Sequence, residues 1–345
     1  MFVGLGAAFV AGCGASPEPV SAPRPAVTAP AVATGAPSAT AVVTAAPEVA
    51  APPKKVAKLR FDIDGEDSGI PLVDVVVGGQ PTTLIVDTGA THHVIASWVA
   101  GQIGGTTTSA GNGMDHAGKS IALTQLEGVD IVVSGWGSAG ANGTLVAPLP
   151  PGLQSQGIGG VLSPQALAKD GRAVVLDLRK GTMTEAAYDD AIRALAGEPG
   201  SSFTGDVRDC GTNGTLTFVR ATIAGVAVEA QVDTGATHTT VSAGSEAGKK
   251  LKPLAKGKTT AFAASGMFTV PSVERARVQA GSLDAETTVD LVKRDARQAC
   301  PNEAYLGTDL LRSCTLVLGP KELAAKCAPP MRMEEAAHHD DPAGR

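Results

Sequence analysis

Two carboxylates with identical neighbours stand out in this chain of 345 residues. The run Val86-Asp87-Thr88-Gly89-Ala90-Thr91-His92 recurs unchanged as Val232-Asp233-Thr234-Gly235-Ala236-Thr237-His238. Two carboxylates that share one proton can do two things at once. The ionised member takes a proton from water, and the protonated member gives one to the carbonyl oxygen under attack. Asp87 and Asp233 are the candidates for this chemistry, provided the fold brings the two copies together. Gly89 and Gly235 would let backbone N–H groups approach the carboxylates with no Cβ in the way.

The flanking sequence supplies the elements that would position them. Val73, Val75 and Val77 alternate with other residues up to Gly79 before the first copy; Val219, Ala221 and Ile223 do the same up to Gly225 before the second. Period-two alternation, a glycine turn and a second apolar run predict a β-hairpin feeding each motif. Downstream, Gly160-Val161-Leu162-Ser163-Pro164-Gln165-Ala166-Leu167 and Ala304-Tyr305-Leu306-Gly307-Thr308-Asp309-Leu310-Leu311 fall at nearly the same spacing, each followed by a strand-like run, 173–178 and 314–318. The chain therefore reads as two copies of one β-rich unit of about 120 residues. Between them, residues 185–195 carry a helical period that breaks at Gly197-Glu198-Pro199-Gly200.

Composition narrows the function. Lys+Arg number 28 against 34 Asp+Glu, a net charge of −6, so the basic excess that a phosphate backbone demands is missing and no nucleic-acid partner is expected. Hydrophobic residues make up 43% and aromatics 3%, so the core must be built from Val, Leu, Ile and Ala.

The paired Asp-Thr-Gly triplets inside a duplicated β unit resemble the aspartic proteases of the pepsin and retropepsin group over residues about 57–320. The resemblance implies a mainly β fold of two homologous β-barrel lobes, 57–184 and 205–328, joined by a connection over 185–204, with the active site at their interface. It implies a monomeric endopeptidase that hydrolyses peptide bonds of a protein or peptide substrate through an Asp87/Asp233 dyad, with no cofactor and no metal. Thr88 and Thr234 would cross-bond to the opposite lobe's backbone beneath the dyad. Thr91, His92, Thr237 and His238 lie where family members contact substrate, although two polar residues kept by duplication would look the same. The alternative function is a non-catalytic envelope protein that binds extended peptides in the interlobe cleft.

Three features depart from the family pattern. Ala90 and Ala236 follow the triplets, as in retroviral proteases, where pepsins carry a hydroxyl. Losing that hydrogen bond to the ionised carboxylate predicts a mildly acidic optimum. The two tyrosines, Tyr188 and Tyr305, lie outside any plausible flap, so a flap would be built from glycine-rich hairpins, with 107–114 and 259–267 as candidates. Ser163 stands where the hydrophobic-hydrophobic-Gly signature has its glycine, whereas Leu306-Gly307 keeps it.

The N-terminus has a separate character. Residues 1–13 hold a short apolar run ending in Val10-Ala11-Gly12-Cys13, which resembles the bacterial lipobox, with Cys13 as the lipidated residue. Residues 14–56 are rich in Ala, Pro and Thr and predict a disordered tether. Residues 329–345 form a polar tail. Together these predict export to a bacterial cell envelope and attachment to a membrane by a lipid anchor. With Cys13 so assigned, Cys210, Cys300, Cys314 and Cys327 remain, an even number that predicts two disulfides among three possible pairings.

Overall fold

The computed structural model describes residues 10–11 and 55–328, except 115–119, 141–142, 169, 211–213, 264–265, 295–299 and 301. Cys13, the tether up to residue 54 and the tail 329–345 lie outside the described residues; of the leader, only the two-residue strand Val10–Ala11 lies within them. No helix among the described residues is long and apolar enough to cross a membrane.

The fold is mainly β. The strands form one 11-stranded and one 13-stranded sheet, and the same pairings recur in each. The strand Glu66–Val77 turns back on Gln80–Val86, and Thr215–Ile223 turns back on Val226–Val232. Val73, Val75 and Val77 are buried while Asp74 and Val76 face out, as their alternation predicts. Two-residue turns with positive φ at both positions close these hairpins, the geometry that matches strand twist. They are Gly78-Gly79 at 54° and 87° and Ala224-Gly225 at 47° and 79°.

A third strand then threads between the two ends of each motif loop. Ile158–Leu162 runs parallel to Gln80–Val86 and antiparallel to Val94–Ala96. Ala304–Leu306 runs parallel to Val226–Val232 and antiparallel to Thr240–Ser242. Gly160 has a φ of 154°, and a Cβ there would stand 2.0 Å from Val94 O, so only glycine fits where this strand crosses. Each motif loop is thus held at both ends by one sheet. Beyond it lie a further parallel strand, Thr144–Ala147 or Leu283–Val292, and a hairpin, Thr106–Met114 with Ser120–Glu127 or Gly257–Ala263 with Gly266–Ala280.

Two boundaries differ from expectation. Arg172–Asp177 and Thr182–Ala187, within or overlapping the expected first unit, join the 13-stranded sheet, where Val174 pairs with Leu318. Val56–Lys58 adds to the same edge. The helix expected from residue 185 spans Tyr188–Ala196, because Glu185, Ala186 and Ala187 complete the strand opposite Arg172–Val174. Asp189 and Asp190 sit in its first turn and Arg193 in its last, complementing the helix dipole.

The core is aliphatic, and its largest fully buried side chains include only two aromatics, Tyr305 and Phe218. The disulfides join Cys210 to Cys300 and Cys314 to Cys327. Cys314 and Cys327 face each other directly across two antiparallel strands.

Candidate active site

The two motifs meet. The Asp87 N–H donates to Leu162 O and the Asp233 N–H to Leu306 O, both at 3.0 Å, so each aspartate leaves its strand tethered to the threaded third strand. Both aspartates are fully buried, as are Thr88 and Thr234. The two threonines interlock. The Thr88 N–H donates to Thr234 Oγ1 at 3.1 Å and the Thr234 N–H to Thr88 Oγ1 at 3.0 Å. Each hydroxyl then donates across to the other motif's strand, Thr88 Oγ1 to Val232 O at 2.8 Å and Thr234 Oγ1 to Val86 O at 2.7 Å.

Above this lock, each carboxyl lies over the other motif's glycine. A Cβ on Gly89 would stand 2.7 Å from Asp233 Cγ, and one on Gly235 would stand 2.5 Å from Asp87 Cγ. This close approach is why glycine is required at both positions. The Gly89 N–H donates to Asp87 Oδ1 at 2.6 Å; those of Gly235 and Ala236 donate to Asp233 Oδ1 at 3.0 and 3.1 Å.

Burial raises the affinity of both carboxyls for a proton. Asp87 is held well above the ordinary carboxylate value of 3.8, first by desolvation and then by the neighbouring Asp233. Asp233 is raised too, by desolvation, against which hydrogen bonds from Asp87 and from its own loop and the charge of Arg294 act. Like charges this close cannot both ionise freely, so the pair retains one proton into the range where isolated carboxyls have lost theirs.

The residues flanking the triplets diverge despite their identical sequence. Thr91 is buried, with Oγ1 2.9 Å from His92 Nδ1, and its Cβ lies against Gly214. Thr237 packs its Cγ2 beside Gly69. His238 Nδ1 lies 3.1 Å from Oδ2 of the buried Asp290, which raises the imidazole's proton affinity above its ordinary value. Strand register puts Leu145 opposite Val94 where Asp290 stands opposite Thr240.

Ser163 has a local explanation. A Cβ on Gly307 would stand 2.5 Å from His238 C, because the N–H groups of Thr308 and Asp309 draw their chain onto Ala236 O and Thr237 O. Pro164 follows Ser163 and has no N–H to do this. The Ser163 N–H donates to His93 Nδ1 at 3.2 Å, as the Gly307 N–H donates to Thr239 Oγ1 at 3.2 Å, and the first copy adds Gln165 Nε2 donating to Thr88 O.

The hairpin candidates need one correction. Thr259–Met267 spans a complete hairpin tip with Ala263 opposite Gly266, but 107–114 is a single strand. Its partner, Ser120–Glu127, pairs along the whole length of Thr106–Met114, and residues 115–119 between them lie outside the described residues.

Several site residues carried no motif signal. Arg294 stacks its guanidinium 3.7 Å from the Tyr305 ring centroid, donates to Asn302 Oδ1 at 3.0 Å and bonds Thr240 Oγ1. Asn302 Nδ2 donates to Gln231 Oε1 at 3.0 Å, and Gln231 Nε2 donates to Gly89 O at 3.3 Å. The one available hint was a break in the repeat: Gln231 stands where the first copy has Ile85. Among the described residues, no group of three His, Cys, Asp or Glu is placed to hold a metal ion.

No match was found among curated proteins. A solved structure, Basic 7S globulin from soybean, superposes with a TM-score of 0.44 at 10% identity, covering 79% of this chain and 94% of that one. Residues 73–158, which contain the first motif and most of the strands around it, match the family model described as Aspartyl protease.

Proposed function

We propose that this chain is an aspartic endopeptidase whose Asp87/Asp233 dyad, placed where two homologous β lobes meet, adds water to a peptide bond. The reciprocal placement of each carboxyl over the other motif's glycine carries this reading, since it brings two buried acids together around one shared proton. The ionised member takes a proton from a water as its oxygen bonds to the scissile carbonyl carbon, and the protonated member gives its proton to the carbonyl oxygen. Collapse of the resulting diol breaks the C–N bond. The amine leaves with the proton taken from water, and the diol hydroxyl returns its proton to the other carboxyl.

The family match over the first motif supports a protein or peptide substrate. The two disulfides favour an oxidising compartment, in keeping with a chain exported to a bacterial envelope and held there, as a monomer, by a lipid on Cys13.

The test is cleavage of an unfolded protein between about pH 3 and pH 7, with and without a statine-containing peptide that mimics the diol. Cleavage blocked by that peptide is expected. Tight binding of the peptide with no cleavage across the range would instead make the chain a non-catalytic binder of extended peptides.

A further inference from the structure

The protease reading treats the two aspartates as equivalent, and the sequence around them is. Their surroundings are not. On the second motif's side stands a polar cluster of Arg294, Asn302, Gln231 and Tyr305. Strand register places Ile85 and Val161 at the first-copy positions of Gln231 and Tyr305, and both are buried apolar residues.

We propose that Arg294 is a positioning residue of the dyad. It sets a permanent positive charge on the Asp233 side and, through Asn302 and Gln231, fixes the Gly89 peptide against Asp87, so that the shared proton resides on Asp87. Asp233 is then the base that takes the proton from water, and Asp87 is the acid that protonates the carbonyl oxygen.

Two observations support this. The hydrogen-bond chain runs unbroken from the guanidinium through Asn302 and Gln231 to Gly89 O, and the next amide group of that loop segment, the Gly89 N–H, holds Asp87 Oδ1. Tyr305, on which Arg294 stacks, is followed by Leu306, whose carbonyl accepts the Asp233 N–H.

The ionisable groups facing Asp233 are Asp87 and Arg294, and those facing Arg294 are Tyr305 and Asp233. Burial lowers Arg294 to about 10, which leaves it charged wherever a carboxyl pair titrates.

The assignment of acid and base rests on the protease reading, but the location of the proton can be measured without turnover. Carboxyl carbon NMR titration of the full chain, with Asp87→Asn and Asp233→Asn used for assignment, should show Asp233 ionising first. Arg294→Met should move that first ionisation upward by about one pH unit and shift the acid limb of the pH–rate profile with it, at unchanged KM. Arg294→Lys should restore most of the titration.

A first ionisation at Asp87, or an Arg294→Met titration that superimposes on the wild type, would overturn the proposal. If Arg294→Met does not fold, Asn302→Ile cuts the hydrogen-bond chain while keeping the charge. It should lower kcat about tenfold at unchanged KM with the first ionisation held at Asp233, and unaltered kcat would overturn the positioning role. A titration that follows this pattern in a chain with no turnover would sink the protease reading and leave the proton assignment standing.

Discussion

Thr88 and Thr234 each accept the other's backbone N–H, at 3.1 and 3.0 Å, and each donates to the strand that delivers the other's aspartate. Four buried hydrogen bonds thereby tie two loops distant in sequence into one rigid floor beneath the carboxyls. The dyad's geometry depends on this floor more than on either loop alone.

Replacing either threonine by valine keeps the shape but leaves an N–H and a C=O buried and unpaired. Thr88→Val and Thr234→Val should each cost about 1–3 kcal/mol per unpaired group, and the double variant less than the sum of the singles. Thr88→Ser should retain nearly full stability. Urea denaturation checks this, and a Thr88→Val protein as stable as the wild type would show that the lock is not structural.

The dyad should make stability fall as pH rises. Both carboxyls bind a proton more tightly when folded than their ordinary value of 3.8 implies, so the folded state is favoured fully below that value. The favour is lost as pH climbs through the raised values. Asp87→Asn removes one of the two acids and should raise the thermal midpoint at pH 7 but not at pH 3. Equal or lower midpoints at pH 7 would contradict this. The same raised values, with Ala90 and Ala236 supplying no hydroxyl, place the activity optimum in mildly acidic solution; a profile peaking below about pH 3 would count against it.

His238 should contribute to stability through Asp290. His238→Leu removes the imidazole beside the buried carboxylate of Asp290 and should cost about 1–3 kcal/mol. Adding Asp290→Leu, which copies Leu145, should recover much of the loss. The His238 contribution is present below pH 6.5 and fades as pH rises through its raised value, so the cost of His238→Leu should shrink in alkaline solution. A His238→Leu protein as stable as the wild type at pH 6 would refute the assignment.

Much of this site could be read from the sequence because it is local or repeated. Alternation at Val73, Val75 and Val77 with the Gly78-Gly79 turn marks a hairpin, and the seven-residue repeat marks both aspartates. Features assembled from separate segments were not legible. Arg172–Asp177 reads as a strand, but its choice of Cys314–Leu318 as partner depends on contacts far along the chain. Arg294, Asn302, Gln231 and Tyr305 come from separate strands and loops, and no spacing rule links them. Gln165 reaches Thr88 O in the first copy, where Pro164 removes the N–H that the second copy uses on Ala236 O.

The most direct test is the initial rate of cleavage of an unfolded protein by the wild type, Asp87→Asn and Asp233→Asn, with folding of each confirmed by circular dichroism. The dyad predicts turnover by the wild type and a loss of at least about a thousandfold in both variants, since neither carboxyl can act without the other. Cleavage that persists in either folded variant would contradict it.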